Sequence, residues 1–184
     1  LAKAASILGA KVQLVSTTKQ LKVPYGVEVT YVESAHEMEE VVTKQFPTTD
    51  IAVMVAAVSD YYVANRSEQK IKKQQNESGL TLELLENPDI LKKLGHSKRE
   101  GQIVIGFAAE TTNVLEYAKA KLEKKKADVI IANDVSNSRI GFNSNRHQVT
   151  LLTKDGYIVN LPEKSKEELA LNIWKSLLEE KIIH

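Results

Sequence analysis

The chain has 184 residues, 42% hydrophobic and 27% charged, a balance typical of soluble globular domains that excludes disorder, a coiled coil and a collagen-like repeat. Its 25 basic and 24 acidic side chains leave a net charge of +1, too small for a whole-molecule field that would steer nucleic acid. Cysteine is absent, which removes disulfides, thiolate metal sites and a thiol nucleophile, and no apolar run approaches the ~20 residues that cross a bilayer.

In chain order, residues 1–10 read as the closing turns of a helix that stops at Gly9. The expectation is one domain over 1–184 that starts inside a βαβ unit and lacks the first strand and the loop after it. Residues 11–16 and 27–32 are β-branched runs set apart by the turn signal Pro24-Tyr25-Gly26. Over 35–46, Met38, Val41, Val42 and Phe46 recur at helical spacing, with Ser34 available as the cap. Residues 51–57 are apolar at consecutive positions, as in a strand covered on both faces, and 102–108 and 128–132 repeat the pattern. Helices are expected over 88–94, with Pro88 in the first turn, and over 112–126, where Val114, Leu115, Ala118 and Leu122 form one stripe. Two antiparallel hairpins are expected, 70–73 with 80–85 and 148–153 with 157–161, the second turning at Asp155-Gly156. A last helix over 164–181 carries Leu169, Ile173, Trp174, Leu177 and Leu178 on one side. The alternation predicts an α/β, Rossmann-like three-layer fold with a mainly parallel sheet and antiparallel hairpin additions.

In such sheets ligands bind beyond the carboxyl ends of the strands. That rule selects residues 56–60, 87–90, 107–111 and 133–135, each small or polar directly after an apolar run. Ordinary capping turns would have the same composition, and spacing alone weighs the two equally. No G-x-G-x-x-G occurs, and the Gly101/Gly106 pair is followed by Phe107 where a P-loop has lysine, which disfavours a nicotinamide dehydrogenase or a P-loop kinase. Lys121 and Lys125 share a helix face and Lys70-Ile71-Lys72-Lys73 alternates as a strand would, so two distant lysine clusters could converge on one polyphosphate. Their plainer roles are complementing a helix dipole and protecting a sheet edge. His36, His96, His147 and His184 lack ligand spacing and read as surface residues, and Ser59 lies in no G-x-S-x-G elbow. Asp60 and Asp89 stand beside small residues after strand ends or turns, where a carboxylate can accept from a sugar or base, hold a metal, or simply cap a helix.

Six segments in register, Ala56-Ala57-Val58-Ser59-Asp60-Tyr61, Lys70-Ile71-Lys72-Lys73, Asn87-Pro88-Asp89-Ile90, Gly106-Phe107-Ala108-Ala109-Glu110-Thr111, Ala132-Asn133-Asp134-Val135 and Gly141-Phe142-Asn143, resemble phosphopantothenoylcysteine synthetase. The resemblance covers nearly the whole chain. It implies a cytoplasmic ligase of coenzyme A biosynthesis that joins 4′-phosphopantothenate to L-cysteine, using CTP with Mg2+ through an acyl-cytidylate and releasing pyrophosphate and CMP. It assigns cytidine recognition to Asp60, Asn87, Pro88, Asp89, Ile90 and Phe107, triphosphate contacts to Lys121 and Lys125, and the chemical steps to Lys70. Ala56 and Ala57 would lie against the activated carboxyl, and Asn133 beside the nucleotide. Metal ligands stay unassigned. The resemblance also implies a homodimer, with the region 139–161 as a possible contact, and no nucleic-acid or membrane partner. An NAD(P)-binding Rossmann oxidoreductase and a non-catalytic nucleotide-binding module are the competing expectations.

Overall fold

Alternation of side chains along the central strands sets the layering. A computed structural model of the chain describes residues 1–72, 79–110, 113–134 and 146–183. Strands β6 (Ile103–Glu110) and β7 (Val129–Asp134) send Val104, Ala108, Ile130 and Ala132 to one core, and Ile105, Val129 and Ile131 to the other. The first core is closed by Met38 of helix α2 (Ala35–Gln45), Leu91 and Leu94 of α3 (Ile90–Ser97), and Ala118 and Leu122 of α4 (Val114–Lys125). The second is closed by Ala4 and Ala5 of α1 (Ala2–Ile7) and by Leu169, Ile173, Trp174 and Leu177 of α5 (Lys166–Glu179). These cores give the expected three layers.

The main sheet has the order β3-β6-β7-β8-β9, with β3 (Ile51–Met54), β6 and β7 parallel, and β8 (Arg146–Thr153) and β9 (Ile158–Ser165) antiparallel. The β8–β9 hairpin turns at the expected Asp155-Gly156, where Gly156 has φ of +87°. Strands β1 (Val12–Ser16) and β2 (Val27–Tyr31) pair in parallel as a separate sheet, yet Val15 packs on the first core and Val12 on the second, so both sheets lie in the same layer. Helix caps follow the sequence cues. Ser34 accepts from the Glu37 N–H, and Ser165 with Glu168 forms a reciprocal capping box.

Three expectations need correction. The apolar run 51–57 is a strand only to Met54, because β3 is an edge paired on one side to β6 and that ladder ends at Met54 opposite Gly106; Ala56 and Ala57 are exposed loop. The first hairpin uses β4 (Tyr61–Val63) rather than 70–73, pairing antiparallel with β5 (Leu84–Glu86). The aromatic and β-branched run Tyr61-Tyr62-Val63 outcompetes the lysine-rich segment for that edge. Lys70 and Lys72 are exposed outside any strand, and Lys73 lies outside the described residues. Finally, Pro88 stands before the cap of α3 rather than inside its first turn.

At the amino end of β7, buried Asp128 ties three elements together. Its Oδ2 accepts from Lys98 Nζ at 2.6 Å and from the Val104 N–H at 2.8 Å, and its Oδ1 accepts from Lys154 Nζ at 2.9 Å. Burial by itself would raise this carboxyl, but these donors outweigh it and hold Asp128 below the usual carboxylate range.

Candidate functional site

Helices α3 and α4 pack side by side over β6, with the start of α3 toward the carboxyl ends of the parallel strands and the last turns of both helices toward the amino ends. Two glycines allow it. A Cβ on Gly95 of α3 would lie 2.0 Å from the Lys125 carbonyl oxygen, so only glycine lets α3 approach the last turn of α4 this closely. A Cβ on Gly106 of β6 would lie 2.6 Å from Leu91 Cδ2 and 2.9 Å from Ile130 Cδ1, so the bare backbone there seats α3 on the sheet. Residues Gly106 and Phe107 belong to a segment picked out in the sequence; Gly95 carried no signal, because a lone glycine in a helix pattern does not show what it faces.

This packing brings four expected residues together. Asp89 caps α3, its Oδ1 accepting from the Lys92 N–H at 3.0 Å, while its Oδ2 accepts from Lys125 Nζ. Partial burial acts to raise the Asp89 carboxyl, but the Lys125 ammonium and the Lys92 N–H hold it below the usual range. One turn before Lys125, Lys121 Nζ donates to the Phe107 carbonyl at 2.6 Å. The two lysines therefore reach the strand ends from one face of α4, as their spacing required.

The loop after β3 is joined to the turn before α3. Asn87 Nδ2 donates to the Ser59 carbonyl at 2.9 Å and the Asn87 N–H donates to the Asp60 carbonyl at 2.8 Å, setting Asp60 and Asn87 side by side. Ile90 is buried as the first residue of α3 and anchors the turn Asn87-Pro88-Asp89 to the core. Ala56 and Ala57 are exposed in that loop, and the Val58 N–H donates to the Ala56 carbonyl at 3.0 Å.

Asn133 stands at the end of β7, opposite Ala109 of β6. Its Nδ2 lies 3.2 Å from His147 Nδ1 on β8, so His147, expected on the surface, is half-buried against a site residue. His36 is exposed, as expected, and stacks edge-on against Tyr62 at 5.0 Å between centroids; His184 lies outside the described residues. Lys70 is not brought to the cluster: among the described residues no hydrogen bond or ion pair joins it to Asp89, Lys121 or Lys125. Residues Thr111, Val135, Gly141, Phe142 and Asn143 of the sequence motifs lie outside the described residues.

A recess of about 410 Å³ lies apart from this cluster, lined by Thr17, Lys19, Val32 and Glu33 beyond β1 and β2. The cluster is the better site, since it combines the strand-end position with convergent donors and acceptors, whereas Lys19 and Glu33 in the recess neutralise each other at 2.9 Å. Among the described residues no three histidines or carboxylates gather as a metal-ligating group, and no helix is long and apolar enough to cross a membrane.

A family model described as the DNA/pantothenate metabolism flavoprotein C-terminal domain matches residues 1–180. The coenzyme A biosynthesis bifunctional protein CoaBC of Vibrio cholerae is 44% identical over 170 residues, covering 92% of this chain and 42% of that protein. The chain thus spans less than half the length of the curated relatives it matches. A crystal structure of the C-terminal domain of a CoaBC protein superposes with a TM-score of 0.78 at 39% identity, over 96% of this chain and 77% of that one. A Cab2 variant in complex with phosphopantothenate-cysteine shares the fold, with a TM-score of 0.61 at 16% identity over 84% of this chain and 53% of that one.

Proposed function

The chain belongs to the DNA/pantothenate metabolism flavoprotein C-terminal domain family, and on that basis we propose that it is the phosphopantothenate–cysteine ligase of coenzyme A biosynthesis, driven by CTP. The observation that carries the reading is the convergence of Asp89, Phe107, Lys121 and Lys125 at one corner of the strand ends. Relatives named for coenzyme A biosynthesis at over 40% identity support the same chemistry.

In this reaction the carboxylate of 4′-phosphopantothenate attacks the α-phosphorus of CTP, forming an acyl–O–P bond as the bond to pyrophosphate breaks. The amine of L-cysteine then attacks the acyl carbon, an amide forms, a proton leaves the amine and CMP departs. The first step brings two anions together, so catalysis is positioning and charge neutralisation. Lys121 and Lys125 take the triphosphate. Each holds a protein oxygen meanwhile, and phosphate oxygens replace those partners; Asp89, released from Lys125, is then free to accept from the 4-amino group of cytosine. Asp60, Asn87, Pro88, Ile90 and the Phe107 backbone frame the nucleoside, and exposed Ala56 and Ala57 leave backbone open to the activated carboxyl. Asn133 faces the nucleotide from β7. Lys70 stabilises the charge that builds on the α-phosphate or on the oxyanion of the second step, a contribution of about 2.7–4 kcal/mol for such a donor.

Mg2+ would arrive on the triphosphate, as this ion commonly does. Bound there it supplies charge neutralisation to the phosphates.

A homodimer is part of the proposal. The β4–β5 arm exposes Tyr61, Val63, Leu84 and Leu85, and an isolated two-stranded ribbon is marginal in water, which supports its being covered by a second copy. Exposed Tyr157 and Ile158 support the alternative contact in the 139–161 region. Light scattering measures the state.

The test is thermal shift with CTP, ATP and NADPH in parallel, followed by pyrophosphate release. A ligand at 100 times its Kd adds about 2.7 kcal/mol of stability. CTP is expected to stabilise the protein and to support pyrophosphate release that depends on phosphopantothenate. Lys125→Gln should weaken CTP binding about tenfold, and Lys70→Gln should keep CTP binding while losing product formation by about tenfold or more. Stabilisation by NADPH alone would overturn the ligase reading, and nucleotide binding without pyrophosphate release would make the protein a binding module.

A further inference from the structure

An amide nitrogen can only donate, so the 3.2 Å approach of Asn133 Nδ2 to His147 Nδ1 makes that ring nitrogen the acceptor. The ring proton is then on Nε2. The other end of the same amide is unmatched: Asn133 Oδ1 is buried with no hydrogen-bond partner among the described residues. It sits where β7 ends, across from Ala109 at the end of β6, beside the crevice assigned to the nucleotide.

We propose that His147 is a positioning residue that sets the hydrogen-bonding polarity of Asn133, holding Oδ1 as an acceptor for a hydroxyl or amine donor of the bound nucleotide. With the ring proton on Nδ1 instead, Nδ1–H would face the amide NH2, two donors in opposition. The amide would turn to give its oxygen to the ring, and its NH2 would stand where the ligand expects an acceptor. His147 thus sets the polarity of one site atom.

The nature of the ligand rests on the ligase reading; the state of the His147–Asn133 pair does not. Nitrogen NMR of the histidine ring reads the tautomer directly. CTP affinity is measured for wild type, His147→Asn and His147→Leu. The Asn variant places an amide oxygen where Nδ1 stood. The expected results are an Nε2–H tautomer, near wild-type CTP affinity in His147→Asn, and a His147→Leu weaker by about tenfold. An Nδ1–H tautomer, an equal loss of affinity in His147→Asn and His147→Leu, or wild-type affinity in His147→Leu would each overturn the inference. Should CTP not bind at all, the ligase reading fails, while the NMR arm still decides the His147–Asn133 pairing.

Discussion

Replacing Gly95 by alanine probes how the site is built. A Cβ there would stand 2.0 Å from the Lys125 carbonyl oxygen and 2.9 Å from the Lys126 carbonyl oxygen, both of them backbone atoms that no rotamer change can move. Restoring an ordinary contact near 3.5 Å needs a displacement of about 1.5 Å between α3 and α4. Overpacking of this kind costs about 1–3 kcal/mol. Against it stands the gain from glycine to alanine in a helix, about 1 kcal/mol. A 2.0 Å approach to a backbone oxygen puts the cost at the upper end of that range, so the clash wins and the variant should be less stable by about 2 kcal/mol. The same displacement pulls Asp89, at the start of α3, away from Lys125, so CTP affinity should fall along with stability. Urea unfolding and CTP titration are the assays. Gly79→Ala is the control, since nothing lies within 4 Å of its Cβ position. Equal or greater stability in Gly95→Ala with unchanged CTP affinity would refute the close-approach argument.

Two other expectations concern the scaffold. Asp128→Ala leaves the buried Val104 N–H without its acceptor and should cost about 1–3 kcal/mol by urea unfolding, since Lys98 and Lys154 keep enough exposure to turn toward water. Because Asp128 is held below its unfolded value near 3.9, its contribution is fully present above about pH 4 and is lost as pH falls through the folded value; the variant's stability should therefore decline less steeply over that acid range. Ser165→Ala breaks the capping box of α5 and should lower stability by about 1 kcal/mol with no change in CTP affinity; an unchanged unfolding midpoint would show the box to be idle.

The elements and the kind of site were legible because each follows from local pattern. Period-two and consecutive apolar runs mark β6, β7 and β8, Asp155-Gly156 marks the hairpin turn, and Ser34 and Ser165 mark helix starts. The pairing of Lys121 with Lys125 on one face follows from helical spacing alone. Placement of the first hairpin was not legible, since 70–73 alternates as a strand would while the run Tyr61-Tyr62-Val63 does not, and only the pairing with β5 chooses between them.

Sequence patterning alone therefore determined the α/β class and pointed to the strand ends as the candidate site, because periodicity and turn chemistry are local properties; the resemblance supplied the proposed residue roles. Tertiary structure decided what those residues meet: Asp89 with Lys125, Lys121 with the Phe107 carbonyl, Asn133 with His147, and Asp128 with two lysines from other elements. Such partnerships join positions 14 to 36 residues apart, and their distances come from how closely helices settle on the sheet. Gly95 and Gly106 control that closeness by what they lack, and a missing side chain shows its meaning only once its neighbours are in place.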